Sequence, residues 1–229
     1  MFGFDVIALS GLMLLASGRI ECSIPKPPQV VIAPYTNDVE YDFSKTSAEL
    51  GAFETNTTSP YAVNLDTATG GLRYDKPEIK LEVKWGVKRY PHEELACLWY
   101  DSVKLQITLS PIIYLAKENN YKGCREAILD HELKHVKTDR RVINNYSQRV
   151  GQDLQDAVNK TGAIGPYHLD EVDAVQKQLV DIINQVVKTH EKNLYEEMNY
   201  EQGKIDTLEE YERVNNICRQ AAVKLSEQR

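Results

Sequence analysis

The sequence is short of positive charge, of long apolar runs and of closely spaced cysteines. Against 34 Asp and Glu stand 27 Lys and Arg, a net charge of −7, whereas a nucleic-acid partner asks for a basic face. No nucleic acid is therefore expected. The apolar run at residues 6–16 (VIALSGLMLLA) is too short to span a bilayer as a helix. Nothing after it is hydrophobic enough to cross, so no membrane span is expected in the mature chain. The 4 cysteines, Cys22, Cys97, Cys124 and Cys218, are not spaced like a zinc knuckle. No segment repeats.

What is present begins with that short run, which reads as the core of a secretory signal peptide over residues 1–18. Ala16-Ser17-Gly18 supplies small residues for cleavage after Gly18, although no Lys or Arg precedes the run and Asp5 stands where positive charge is usual. Arg19-Ile20-Glu21 ahead of Cys22 is not the small-residue pattern that lipidation needs, so a lipid anchor is rejected. An exported chain, periplasmic or extracellular, with an even number of cysteines points to disulfides. A Cys97–Cys124 bridge would tie the helix after Cys124 to the segment before it, leaving Cys22 with Cys218. Four free thiols are the alternative. About 210 residues remain after cleavage, enough for one good-sized domain or a domain with an appendage.

Chemistry is concentrated in His131-Glu132-Leu133-Lys134-His135, an H-E-x-x-H motif. On a helix, positions i and i+4 share a face, so both imidazoles can meet one zinc ion. Zinc takes three protein ligands and a water in catalytic sites. Glu132 is placed to act as general base on that water. The alternative is a buried structural histidine pair, but the apolar flanks Ile128, Leu129 and Val136 put the motif on a packed helix.

The rest of the chain reads as α+β: a small antiparallel sheet followed by a long helical hairpin carrying the motif, plus a C-terminal helix. Residues 19–75 read as an extended leader and loops with one or two edge strands. Residues 76–229 read as the domain, with the sheet in 76–118 and the helices in 124–229. Within it, Ile79, Leu81, Val83, Trp85 and Val87 alternate with polar residues, as do Val103, Leu105, Ile107 and Leu109. Pro111 ends or bends that second strand, and 112–115 resumes it. From Cys124 the period becomes 3.6: Ile128, His131, His135, Asp139, Val142, Tyr146 and Val150 form one stripe. Gly151 is a weak point, and residues 160–166 (KTGAIGP) are a break. Val172, Val175, Leu179, Ile182, Val186, His190 and Leu194 share a face of the second helix. Thr207 and Glu210 have the capping-box spacing that opens a third.

A sheet leading into an H-E-x-x-H helix resembles the zincin metallopeptidases. His131 to Asp139 is similar to the active-site helix of thermolysin-like and related gluzincins, and the export signal adds a likeness to bacterial predicted secreted zinc-dependent proteases. The resemblance covers roughly residues 104–146. It implies a zinc peptidase acting on a peptide or protein substrate, with His131 and His135 as ligands and Glu132 as base. It also implies that residues 104–109 or 112–117 hold the substrate by strand addition. Tyr146, or another Tyr or His, would stabilise the oxyanion. The N-E-x-x-S-D glutamate ligand of thermolysin has no match here, and the metzincin third histidine is absent.

The third ligand must come from elsewhere. Asp139 lies about 12 Å along the axis from His131, so it reads as a partner to a histidine or as a buried charge paired with an arginine. With a hairpin centred near Ala163, equal distances from the turn bring His190 beside His135, on the inward stripe. Glu191 and Glu197 are the fallbacks. Glu171 lies in an ordinary acidic first turn at the far end, and His92 in an exposed turn. A non-catalytic exported protein, binding zinc structurally or a partner through the hairpin, is the rival reading.

Overall fold

The computed structural model describes residues 20–53 and 69–228. The expected signal peptide at 1–18 lies outside the described residues. In chain order the elements are β1 (Gln29–Thr36), β2 (Glu40–Asp42), α1 (Ser47–Gly51), β3 (Gly71–Tyr74), β4 (Glu78–Tyr90), β5 (Leu95–Leu109) and β6 (Ile112–Leu115). Then follow α2 (Cys124–Thr161), β7 (Ile164–His168), α3 (Val172–Gly203) and α4 (Leu208–Glu227). The architecture is mixed α+β, with two small sheets against a helical half.

β5 is the centre of the larger sheet. β4 pairs antiparallel along one edge, while β7 and β1 share the other end to end. A register shift at Lys84/Trp85 leaves Asp101 unpaired, and such a bulge switches the side-chain parity of its strand. Leu98 and Tyr100 before it, and Val103, Leu105 and Ile107 after it, therefore all face the same core. That core is completed by Val142, Tyr146, Val150 and Leu154 of α2 and by Leu179, Ile183 and Leu194 of α3. The smaller sheet, ordered β2-β6-β3, lies beside the first half of α2.

Several expectations are corrected. The sheets are mixed rather than antiparallel, because β1 runs parallel to β5 and β2 parallel to β6. The segment read as leader and loops supplies three strands and a short helix, the latter closed by a capping box between Thr46 and Glu49. Its strands are short, and partners from β5 and β6 decide them more than local pattern does. The helix expected to run on past the weak point at Gly151 does so, to Thr161; a Cβ at Gly151 would meet Ile32 Cγ1 at 2.9 Å, so the glycine lets β1 pass close to the helix. The break after α2 contains β7 and a 3₁₀ turn at Leu169–Glu171. On α3 the buried stripe runs through Ile183 and Val187 rather than Ile182 and Val186. The bridges are Cys22–Cys97 and Cys124–Cys218, not Cys97–Cys124 and Cys22–Cys218. The segment before β1 lies against β5, with Lys26 at Asp101 and Cys22 at Cys97, and α4 packs on α2, which places Cys218 at Cys124.

Candidate metal centre

One turn of α2 puts His131 and His135 on the same buried face, with the rings edge to face and their Nε2 atoms 3.2 Å apart. The third corner is Asp206, in the short connection between α3 and α4. Its Oδ1 lies 3.4 Å from His131 Nε2 and 3.2 Å from His135 Nε2. Tetrahedral zinc with bonds of about 2.0–2.1 Å keeps its ligands roughly 3.3 Å apart, and the three edges match that spacing. Asp206 Oδ2 is buried with no hydrogen-bond partner among the described residues, a state that costs free energy unless something charged satisfies it. The group could hold a metal ion.

Both rings are oriented from behind. His131 Nδ1 faces Glu210 Oε1 at 3.4 Å, and His135 Nδ1 faces Gln202 Oε1. In a neutral imidazole an acceptor oxygen at Nδ1 takes the proton there, which leaves the Nε2 lone pair for a cation shared with Asp206. Glu210 is therefore more than a capping residue. Thr207 accepts from Glu210 N as an N-cap, but the Glu210 carboxylate binds Arg213 and Lys134 and faces His131. Those cations, Arg213 foremost, pull its pKa down to about 2.

Charge inside the group is strongly coupled. Burial disfavours the ionised form of Asp206, but its bonds to both histidines outweigh that and hold it well below the usual carboxylate range. Burial likewise opposes a charged His131, and the carboxylates of Asp206, Glu132 and Glu210 overcome it and raise its pKa. Glu132 is pushed up by burial, against the attraction of His135 and His131. Its Oε2 accepts the Arg73 backbone N–H at 2.8 Å. Oε1 lies beside Gly71, where a Cβ would come within 3.0 Å of it and 2.3 Å of Ile128 Cγ2. The Gly70-Gly71 pair thus lets β3 lie against the motif helix.

His190 does not join this group. It bonds Asp153 Oδ2 at 2.6 Å and stacks edge-on to Tyr146. The two helices do pair as an antiparallel hairpin, but about a later centre than Ala163. The cross-helix pairs Asp153–His190, Arg149–Glu197 and Arg141–Glu201 are symmetric about Val172, not Ala163. β7 and its turn lengthen the connection, so residues beyond α3's midpoint, not its middle, reach His135. Glu197 is occupied by Arg149, Glu171 caps its own turn through His168 N–H, and Glu191 is not part of the group.

Of the two roles expected for Asp139, the structure shows the buried charge paired with an arginine, Arg73 Nη1 to Oδ2 3.1 Å; it reaches His135 only through Gln202, which donates to it. Tyr146 is buried in the main core about 16 Å along α2 from His135. The tyrosine ring at the site is Tyr211, 5.6 Å from His131. Residues 104–108 of the first expected segment and 112–114 of the second, 112–117, are paired on both edges, so neither offers a substrate strand a free edge along that stretch. The sequence did carry one signal for the missing ligand. Gln202 continues the buried stripe after Leu194 and Met198, and a polar residue at such a position needs partners. Those partners mark the end of α3 as part of the site.

Comparison of the chain with protein-family models, with curated proteins and with solved structures returned no match.

Proposed function

We propose that this chain is a zinc-dependent peptidase of an oxidising compartment. The observation that carries the proposal is the triangle of His131 Nε2, His135 Nε2 and Asp206 Oδ1 on and beside an H-E-x-x-H helix. Two imidazoles and a carboxylate suit zinc, and three protein ligands leave a fourth position open. Zinc held there would supply a Lewis acid for a peptide carbonyl and acidify a water. Glu132 takes the proton of the attacking water on Oε1, since Oε2 is engaged by Arg73 N–H. Glu210 and Gln202 keep both imidazoles in the ligating tautomer. Peptide as the substrate rests on the likeness of His131–Asp139 to zincin helices.

Export rests on the two disulfides, which persist outside the reducing cytosol. Among the described residues no helix is long and apolar enough to cross a membrane.

A second reading, a non-catalytic exported metal-binding protein, draws on burial: His131, Glu132, His135 and Asp206 are each no more than 8% exposed. Metal analysis of the purified chain and a peptide-library digest separate the two. Stoichiometric zinc with cleavage that a chelator stops and zinc restores supports the peptidase. Bound zinc without cleavage favours the second reading, and a chain that retains no metal overturns both.

A further inference from the structure

We propose that Arg73 is a positioning residue, one that holds the Glu132 base and the His135 ligand in a single frame. The inference rests on the metallopeptidase reading. Arg73 lies in β3, at the edge of the smaller sheet, and acts through two separate arms. Its backbone N–H binds Glu132 Oε2 at 2.8 Å. Its guanidinium lies 3.1 Å from Asp139, a pair only 13% and 1% exposed. Asp139 Oδ1 accepts from Gln202 Nε2, Gln202 Oε1 meets His135 Nδ1, and the same Gln202 Nε2 donates to the His135 carbonyl at 3.2 Å.

The order of donors along this relay is what matters. A carboxylate only accepts, so Asp139 obliges the Gln202 amide to turn its NH₂ inward and its oxygen toward His135. That oxygen requires the proton on His135 Nδ1, which frees Nε2 for the metal. Arg73 supplies the counter-charge that lets a carboxylate stand at this buried position. One residue of β3 therefore fixes the tautomer of a ligand by its side chain and the position of the base by its backbone. Gly71, two residues earlier, gives the strand the closeness to α2 that both arms need.

The test is zinc affinity by chelator competition, together with the visible spectrum of the Co²⁺-substituted protein. Arg73→Met should weaken zinc retention about 10–100-fold, the usual weight of a group behind a ligand, and shift the cobalt bands. Arg73→Lys, which keeps the charge, should recover most of both. Arg73→Met alone could fail to fold, since it strands a buried carboxylate. Arg73→Met with Asp139→Asn removes that charge and also the acceptor-only group, so it should fold yet remain weak. A folded double variant that binds zinc within about twofold of wild type overturns the inference, as does a Lys variant as weak as the Met variant. Arg141→Met, at the exposed Glu201 pair, should leave the affinity unchanged. A wild-type chain that retains no zinc instead overturns the metallopeptidase reading and this inference with it.

Discussion

On the proposed peptidase reading, Glu132 separates binding from chemistry. It touches neither imidazole's ligating nitrogen, and its Oε2 bond to Arg73 N–H can be kept by an amide oxygen. Glu132→Gln should therefore leave zinc bound while peptide hydrolysis falls about 10²–10⁴-fold, the weight of a general base; equal rates for mutant and wild type on a responsive peptide would remove the enzyme assignment. Asp206 and His190 form the complementary pair. Asp206→Ala takes away one corner of the triangle and should abolish zinc retention through gel filtration. His190→Ala breaks the contact with Asp153, whose side chain is 60% exposed, and the edge-on contact with Tyr146, neither of which touches the triangle, and should leave the metal content unchanged. Exchange of those two outcomes would restore the hairpin centred near Ala163.

The elements matter through how closely they approach. Gly71→Ala places a methyl 2.3 Å from Ile128 Cγ2 and 3.0 Å from Glu132 Oε1. Overpacking of that kind costs about 1–3 kcal/mol, and here it also presses on Glu132, the proposed base. A thermal melt should show the loss, with hydrolysis falling more than the melt explains. α4 depends on its tether. It has no buried residue, yet the corner that leads into it carries Asp206, and its first turn carries Glu210. Cys124–Cys218 joins it to the first residue of α2, with Tyr121 OH donating to the Cys218 carbonyl at 3.1 Å. The two disulfides close loops of similar length, so Cys22→Ser/Cys97→Ser and Cys124→Ser/Cys218→Ser should lower stability comparably, on the order of 4 kcal/mol in the chain-entropy view. Only the second should speed zinc loss to a chelator. Equal rates from both would show that the corner holds without its tether.

At the scale of the whole molecule, β5 and the helix pair α2–α3 form one core, and its buried phenols report on it. Tyr100 donates to the Leu179 carbonyl at 2.7 Å, and burial pushes its pKa far above that of a free phenol. Burial also pushes Tyr146 up to about 12. Both folded-state values exceed the unfolded value near 10. Their contribution to stability is therefore complete below about pH 10 and is lost as pH rises through 12 and beyond, because the unfolded chain releases those protons first. Absorbance at alkaline pH should show a late class of tyrosines ionising together with unfolding by circular dichroism. Ionisation of every tyrosine at about pH 10 while the chain stays folded would contradict the core described.

Local pattern alone determined much of this protein. The period-2 runs around Leu81 and Leu105, the 3.6 stripe through His131, His135 and Val142, and the Thr207 cap concern neighbours a few residues apart. For those, backbone geometry dictates which side chains share a face. The α+β class, the motif helix and the pairing of His131 with His135 follow from that. Tertiary structure decided whatever joins distant segments. Asp206 reaches His135 across more than seventy residues, and its place depends on where α2 and α3 turn, which β7 shifts by pairing with β5. Cys22 meets Cys97, and Arg73 meets both Glu132 and Asp139, because β1 and β3 dock on strands whose own pattern does not name their partners. Register is set by burial of a whole face and by the length of each connection, and no short window of sequence contains either quantity.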